Sequence, residues 1–193
     1  VTLAQYADSV VARLEDSAWP VRQWALVVLR KLRKLGPATL AQHAVAVLAR
    51  LEDSAEKVRF AALGTLRRLE PATLAQYADA IVARFEDSDE RVRKTALETL
   101  AKLEPATLAH HAVAVLARLE DCDWRVRLEA LWTLRKLEPP TLEPATLAQH
   151  AHAVLARLED DDDYVRIVAL YALRWLEPAT LAQYADAIVA RLS

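Results

Sequence analysis

The chain repeats itself every 34 residues, and that period limits what it can fold into more than any single motif does. The stretches "PATLAQHAVAVLARLEDSAEKVRFAALGTLRRLE" (37–70) and "PATLAQYADAIVARFEDSDERVRKTALETLAKLE" (71–104) align with each other and with 105–138 without a gap. A first unit covers about 1–36 and a fifth covers 144–177. "PATLAQYADAIVARLS" (178–193) repeats only the first half. Extra residues interrupt the period near 33–36 and 139–143. A unit of this size cannot close a core alone, so it buries its apolar face against its neighbours. The expectation is one repeat domain spanning 1–193. The missing initial Met suggests a processed, tagged or excised chain, and end-to-end association through the half-repeat at 178–193 is an expected partner mode.

Within a unit the pattern is helical twice over. Leu40, Ala44, Val47, Leu48 and Leu51 recur at i, i+4, i+7, i+8 and i+11, the stripe of an amphipathic first helix A. Thr39, Thr73, Thr146 and Thr180 are each followed three residues on by Gln42, Gln76, Gln149 and Gln183, which predicts capping boxes. The "EDS" turn separates this helix from helix B, with Ser17, Ser54, Ser88 and Asp161 as expected N-caps and Cys122 a poor one. The "LEP" junction ends helix B, because proline cannot continue a helix and disfavours helical geometry just before it. With only two glycines and eight prolines in 193 residues, the reading is all-α. It predicts eleven helices, five A/B pairs and a terminal A helix, with no strand.

Helix B carries a repeated signature, "D…VR..AL..L", at Asp16/Val21/Arg22, Asp53/Val58/Arg59, Asp87/Val92/Arg93, Asp121/Val126/Arg127 and Asp160/Val165/Arg166. On these residues the chain resembles the HEAT-like repeat family, including the phycobilisome-lyase type and the artificial alphaRep proteins. The resemblance implies a right-handed α-solenoid of helical hairpins. It also implies that the turn Asp and helix-B Arg form a ladder between successive repeats, and that B helices line a concave binding surface. It implies a scaffold rather than an enzyme, by analogy of fold.

Comparison among the repeats separates two faces of helix B. Val126, Ala130, Leu131, Leu134 and Leu137 barely change from unit to unit, whereas the positions equivalent to 124, 125, 128, 129, 132 and 136 vary freely. At 100° per residue the two sets lie on opposite sides. The variable side holds Trp19, Trp24, Phe60, Trp124, Trp132, Tyr164, Tyr171 and Trp175, eight of the chain's twelve aromatics. Leu128, Ile167 and Val168 add aliphatic area. Large aromatics gathered on a surface are the composition of interface hot spots. These eleven residues are therefore the expected contacts for a protein or peptide partner, with the C-terminal cluster as the energetic centre.

Other function classes find less support. A net charge of −2 draws no nucleic acid or anionic membrane globally. The basic residues Arg30/Lys31, Arg67/Arg68, Arg135/Lys136, Lys102 and Arg174 form the nucleic-acid alternative, but cations in a last helical turn ordinarily offset the helix dipole. Arg and Glu interrupt every apolar run, so no membrane span is expected, and no signal peptide is visible. The single Cys122 fits a reducing compartment such as the cytoplasm. His43, His111 and His150 share a column with Tyr6, Tyr77 and Tyr184, which marks packing rather than metal binding, and "EDDDD" (159–163) lacks the spacing of a calcium loop. No catalytic constellation appears, so neither enzyme activity nor a cofactor is expected. A bilin-lyase-like accessory role rests on the family alone. Shuffled A-helix variants and irregular insertions match a recently duplicated array better than a designed one.

Overall fold

The computed structural model describes residues 3–31, 37–137 and 144–173. Among them there is no strand. In chain order the helices are α1 (Leu3–Val11), α2 (Trp19–Lys31), α3 (Pro37–Gln42), α4 (Ala44–Ala49), α5 (Glu56–Leu66), α6 (Pro71–Leu74), α7 (Ala78–Val82), α8 (Glu90–Leu100), α9 (Pro105–Ala109), α10 (Ala112–Ala117), α11 (Trp124–Leu134), α12 (Pro144–Ala156) and α13 (Asp163–Leu173). Helices α1 to α8 belong to one compact unit, Val1–Glu104, and α9 to α13 to a second, Pro105–Ser193. The insertions and the half-repeat at 178–193 fall outside the described residues.

The first arm of a repeat is not always one helix, as the sequence had led one to expect. It breaks at His43, Tyr77 and His111, whose φ and ψ fall near −104° and 4°, −115° and 9°, and −108° and 8°. His43 N–H turns back to the Leu40 carbonyl at 3.0 Å, the tighter bond of a 3₁₀ turn. In α1 and α12 the same column, Tyr6 and His150, stays helical, so packing and not residue type decides the break. Described arms then close in a short 3₁₀ segment, such as Arg50–Glu52.

The caps also differ from expectation. Pro71 occupies the first turn of α6 and Glu70 is its N-cap, which places Thr73 inside the helix. Proline is favoured there because its missing N–H would have been unpaired anyway, so no capping box forms. On the second helices the N-cap lies one residue beyond the expected position, at Ala55 after Ser54 for α5, Asp89 after Ser88 for α8 and Asp123 after Cys122 for α11. Asp89 accepts from the N–H groups of Arg91 and Val92, and Asp162 from those of Tyr164 and Val165. The invariant Asp instead folds the turn. Asp16, Asp53, Asp87, Asp121 and Asp160 each accept the N–H two residues on, at 2.9–3.1 Å, the geometry of an Asx turn.

Packing follows the constant positions. In the first unit α2 packs on α5 and α5 on α8; in the second α11 packs on α13 and α10 on α12. Val58, Ala62, Leu63 and Leu66, with their counterparts Val92, Ala96, Leu97 and Leu100, are buried, each large aliphatic contributing roughly 1.5–3 kcal/mol. Thr65 Oγ1 lies 2.8 Å from the Ala61 carbonyl and 3.1 Å from that of Leu26 on the neighbouring helix, so this buried hydroxyl is satisfied.

Charged side chains then tie repeat to repeat. Arg22 donates through Nε and Nη2 to both carboxylate oxygens of Asp53 at 2.6 and 2.7 Å. Arg59 does the same to Asp87, at 2.7 Å for each bond, and Arg127 to Asp160 at 2.8 and 2.5 Å. The remaining nitrogen of each, and of Arg93 and Arg166, donates to the carbonyl of its own turn Asp at 2.7–3.0 Å. A second tie, on the first arms, escaped the sequence reading. Arg50, Arg84 and Arg157 donate to the carbonyls of Leu14, Leu51 and Leu119 in the preceding repeat and pair with Glu15, Glu52 and Glu120. The recurring "AR.E" was its signal.

Burial alone would push Asp53, Asp87 and Asp160 up, yet the guanidinium bonds and the turn N–H groups together hold each below its ordinary 3.8. A carboxylate held low stabilises the fold above pH 3.8 and loses that contribution as the pH falls through its folded-state value. Asp87→Asn, which strands a nearly buried Arg59, should therefore cost about 3 kcal/mol at neutral pH and soften the acid transition below 3.8, read by urea melts across pH.

His150 acts in a different window. Its Nδ1 is buried without a protein hydrogen-bond partner, and burial lowers its pKa from 6.5 to about 4. The fold resists the charged ring, so stability should drop as pH falls from 6.5 to about 4. His150→Tyr should remove that decline, followed by thermal melts by circular dichroism.

Candidate functional site

The variable positions of the second helices carry the side chains that the core does not use. In the second unit Trp124, Leu128 and Trp132 succeed one another every four residues along α11, and Tyr164, Ile167 and Tyr171 run along α13, so each row lies on one helix face. Trp124 and Tyr164 bridge the two helices, their rings stacked with centroids 6.2 Å apart and planes 21° from parallel. Trp132, Ile167 and Tyr171 are exposed, Tyr164 is 60% exposed, and Trp124 and Leu128 are half-buried. A small polar cleft lined by Cys122, Asp123, Trp124, Arg127, Asp161 and Asp162 opens beside the stack.

The first unit has a sparser version of the same face. Trp19 on α2 and Phe60 on α5 are exposed. On α8 the equivalent surface is polar, with Glu98 accepting from Lys94 and, at 2.5 Å, from Arg67. Exposed indoles in both units carry a cation. Lys57 Nζ lies 4.9 Å from the Trp19 ring centre, Arg125 Cζ 4.6 Å from that of Trp124 and Arg135 Cζ 4.8 Å from that of Trp132, all within cation–π range.

Two residues grouped with this face by sequence belong elsewhere. Val168 is only 6% exposed, and its counterparts Ala61 and Thr95 are buried as well, because this column rotates from the open face into the packed flank. Trp24 stands in the same column of α2 but is 62% exposed. It lines an apolar groove of about 400 Å³ with Tyr6, Val10, Pro20, Val21 and Val28, apart from Trp19 and Phe60. Trp175 lies outside the described residues. No helix among the described residues is long and apolar enough to cross a membrane.

With this geometry in place, the comparisons are consistent. Residues 44–135 match the family model for HEAT repeats. No curated protein matches the chain. Among solved structures, a designed armadillo repeat protein in complex with the peptide (KR)4 is similar over 100% of this chain and 90% of its own, with TM-score 0.73 at 16% identity. An engineered protein gives TM-score 0.72 at 15% identity, over 94% and 84% of the two chains. The complex of CpcE and CpcF of phycocyanin lyase from Nostoc sp. gives 0.62 at 19% identity, over 86% and 97%. Likeness at these identities establishes the fold alone, a helical-repeat solenoid of hairpins.

The two neighbouring residues Ile167 and Val168 test the division between open face and flank. Val168→Asp should destabilise the chain by about 3 kcal/mol or more, because a charge would enter the packed seam without a partner. Ile167→Asp, on the open face, should cost under about 1 kcal/mol. Paired chemical denaturation of the two variants reads the difference.

Proposed function

We propose that the chain is a non-enzymatic scaffold that binds a protein or peptide on the open face of its second helices. The observation that carries this reading is the pair of aromatic rows on α11 and α13, clasped by the Trp124–Tyr164 stack and left exposed at Trp132, Tyr164, Ile167 and Tyr171. Trp19 and Phe60 supply a further contact in the first unit. The scaffold beneath is held by buried aliphatics and by bidentate Arg–Asp bonds, so little ordering cost falls on the receptor when it binds. A designed repeat protein of like fold was solved with a bound peptide, which supports the same use of the fold here. The likeness to the phycocyanin lyase complex is one of fold.

The test begins with peptides selected from a random library on the wild-type chain. Trp132→Glu takes the residue that the third repeat carries at Glu98, and it should leave the melting temperature nearly unchanged. Affinity for the selected peptides should fall by roughly 2–4 kcal/mol, measured by calorimetry. If the variant loses several kcal/mol of stability instead, or binds those peptides as tightly as wild type, Trp132 is not part of a binding surface.

A further inference from the structure

The cations that sit on the exposed indoles limit the chemistry a partner can bring. In the first unit, Lys57 covers the ring of Trp19 and has no carboxylate partner among the described residues. Arg30, near the end of α2, reaches across to α5 and lies against Gly64, where an added Cβ would sit 2.8 Å from its Nη1. It too lacks a carboxylate partner among the described residues. A glycine inside an exposed helix costs about 1 kcal/mol relative to alanine, and the same position carries Val27, Glu98, Trp132 and Tyr171 in the other repeats. Gly64 therefore leaves room for the guanidinium, one turn from Phe60. Arg67 and Lys94 on the same side share the one carboxylate of Glu98, and Glu56 sits in the first turn of α5, where the helix dipole favours a carboxylate.

We propose that this face takes an acidic peptide whose carboxylates alternate with aromatic or aliphatic side chains. The proposal rests on the reading of the second-helix face as a peptide-binding surface and adds the class of peptide. Carboxylates meet Arg30 and Lys57, while apolar side chains cover Trp19 and Phe60. A basic peptide gains little, because each incoming Lys or Arg must displace a cation already on the indole and approach another unpaired one. In the second unit Arg125 lies on Trp124 and Arg135 on Trp132, with Arg125 also paired to Asp123 at 3.5 Å, so the unpaired cations that carry the proposal are those of the first unit. The sign is opposite to that of the (KR)4 peptide held by the designed armadillo protein.

The experiment compares four fluorescent probes on the full chain: a synthetic peptide in which Glu pairs separate Phe and Leu, the same peptide with Gln for Glu, the same with Lys for Glu, and a single-stranded oligonucleotide. The acidic peptide should bind on the order of tenfold more tightly than the Gln peptide, and its advantage should shrink with added salt. The double variant Arg30→Gln, Lys57→Gln should lose that advantage while binding the Gln peptide as wild type does. Gly64→Ala keeps both cations but crowds the seat of Arg30, and should weaken only the acidic peptide. Equal affinity for the acidic and Gln peptides, or tighter binding of the Lys peptide or the oligonucleotide, overturns the proposal. If no synthetic probe binds while library-selected peptides still depend on Trp132, the acidic preference fails and the aromatic surface stands. If the library peptides are indifferent to Trp132→Glu, the underlying reading fails.

Discussion

The bidentate bond from a second-helix arginine to the turn aspartate of the next repeat is the contact on which the described structure depends. It does three things at one point. The Asp folds its own turn by accepting the N–H two residues on, and its two oxygens receive the previous repeat's guanidinium. That guanidinium also satisfies a carbonyl of the turn behind it. Each charge is nearly buried, so the attraction is little screened by solvent, and each has the extra hydrogen bonds that let it offset desolvation. A repeat is thereby oriented by groups that a purely apolar seam would leave free to slide.

That tie leaves the outer side of the second helices available. Core contacts, turn closure and repeat-to-repeat charge pairing mostly use Val, Ala, Leu, Arg and Asp at constant positions, so the residues on the open face between them are released from packing. The third repeat can place Glu98 where the fourth has Trp132 and the second has Gly64. Division of labour along one helix lets a surface diversify without loss of the fold, and the stability of the frame means that binding energy is not spent on ordering it.

Some of the candidate surface was legible from residue spacing, and some was not. Trp132, Tyr164 and Tyr171 vary between repeats at positions opposite the constant stripe, and they are exposed. Val168 varies too, but variability only says that a site tolerates change, and its buried counterparts Ala61 and Thr95 show that change is tolerated in a packed flank as well. Trp24 shows the converse, since its column is buried at Ala61, Thr95 and Val168, half-buried at Glu129 and open in the first repeat. The cations over the indoles were invisible in sequence. Lys57 reaches Trp19 across 38 residues, and only the packing of α2 on α5 brings them together.

What the sequence determined by itself was the unit and its order. The 34-residue period, the apolar stripe and the Asp-to-Arg spacing dictate helical hairpins that must be stacked, because no single unit can bury its own apolar face. Tertiary structure decided the rest. It chose which arms break, since His43 and His150 share a column yet only one departs from helical geometry. It moved the caps from Ser88 and Cys122 to Asp89 and Asp123 by letting the preceding Asp take the turn. It also paired Arg50 with Glu15 and seated Arg30 against Gly64. Period and spacing are properties of one helix and read along the chain, whereas these outcomes depend on distances between helices, which exist only once the repeats are packed.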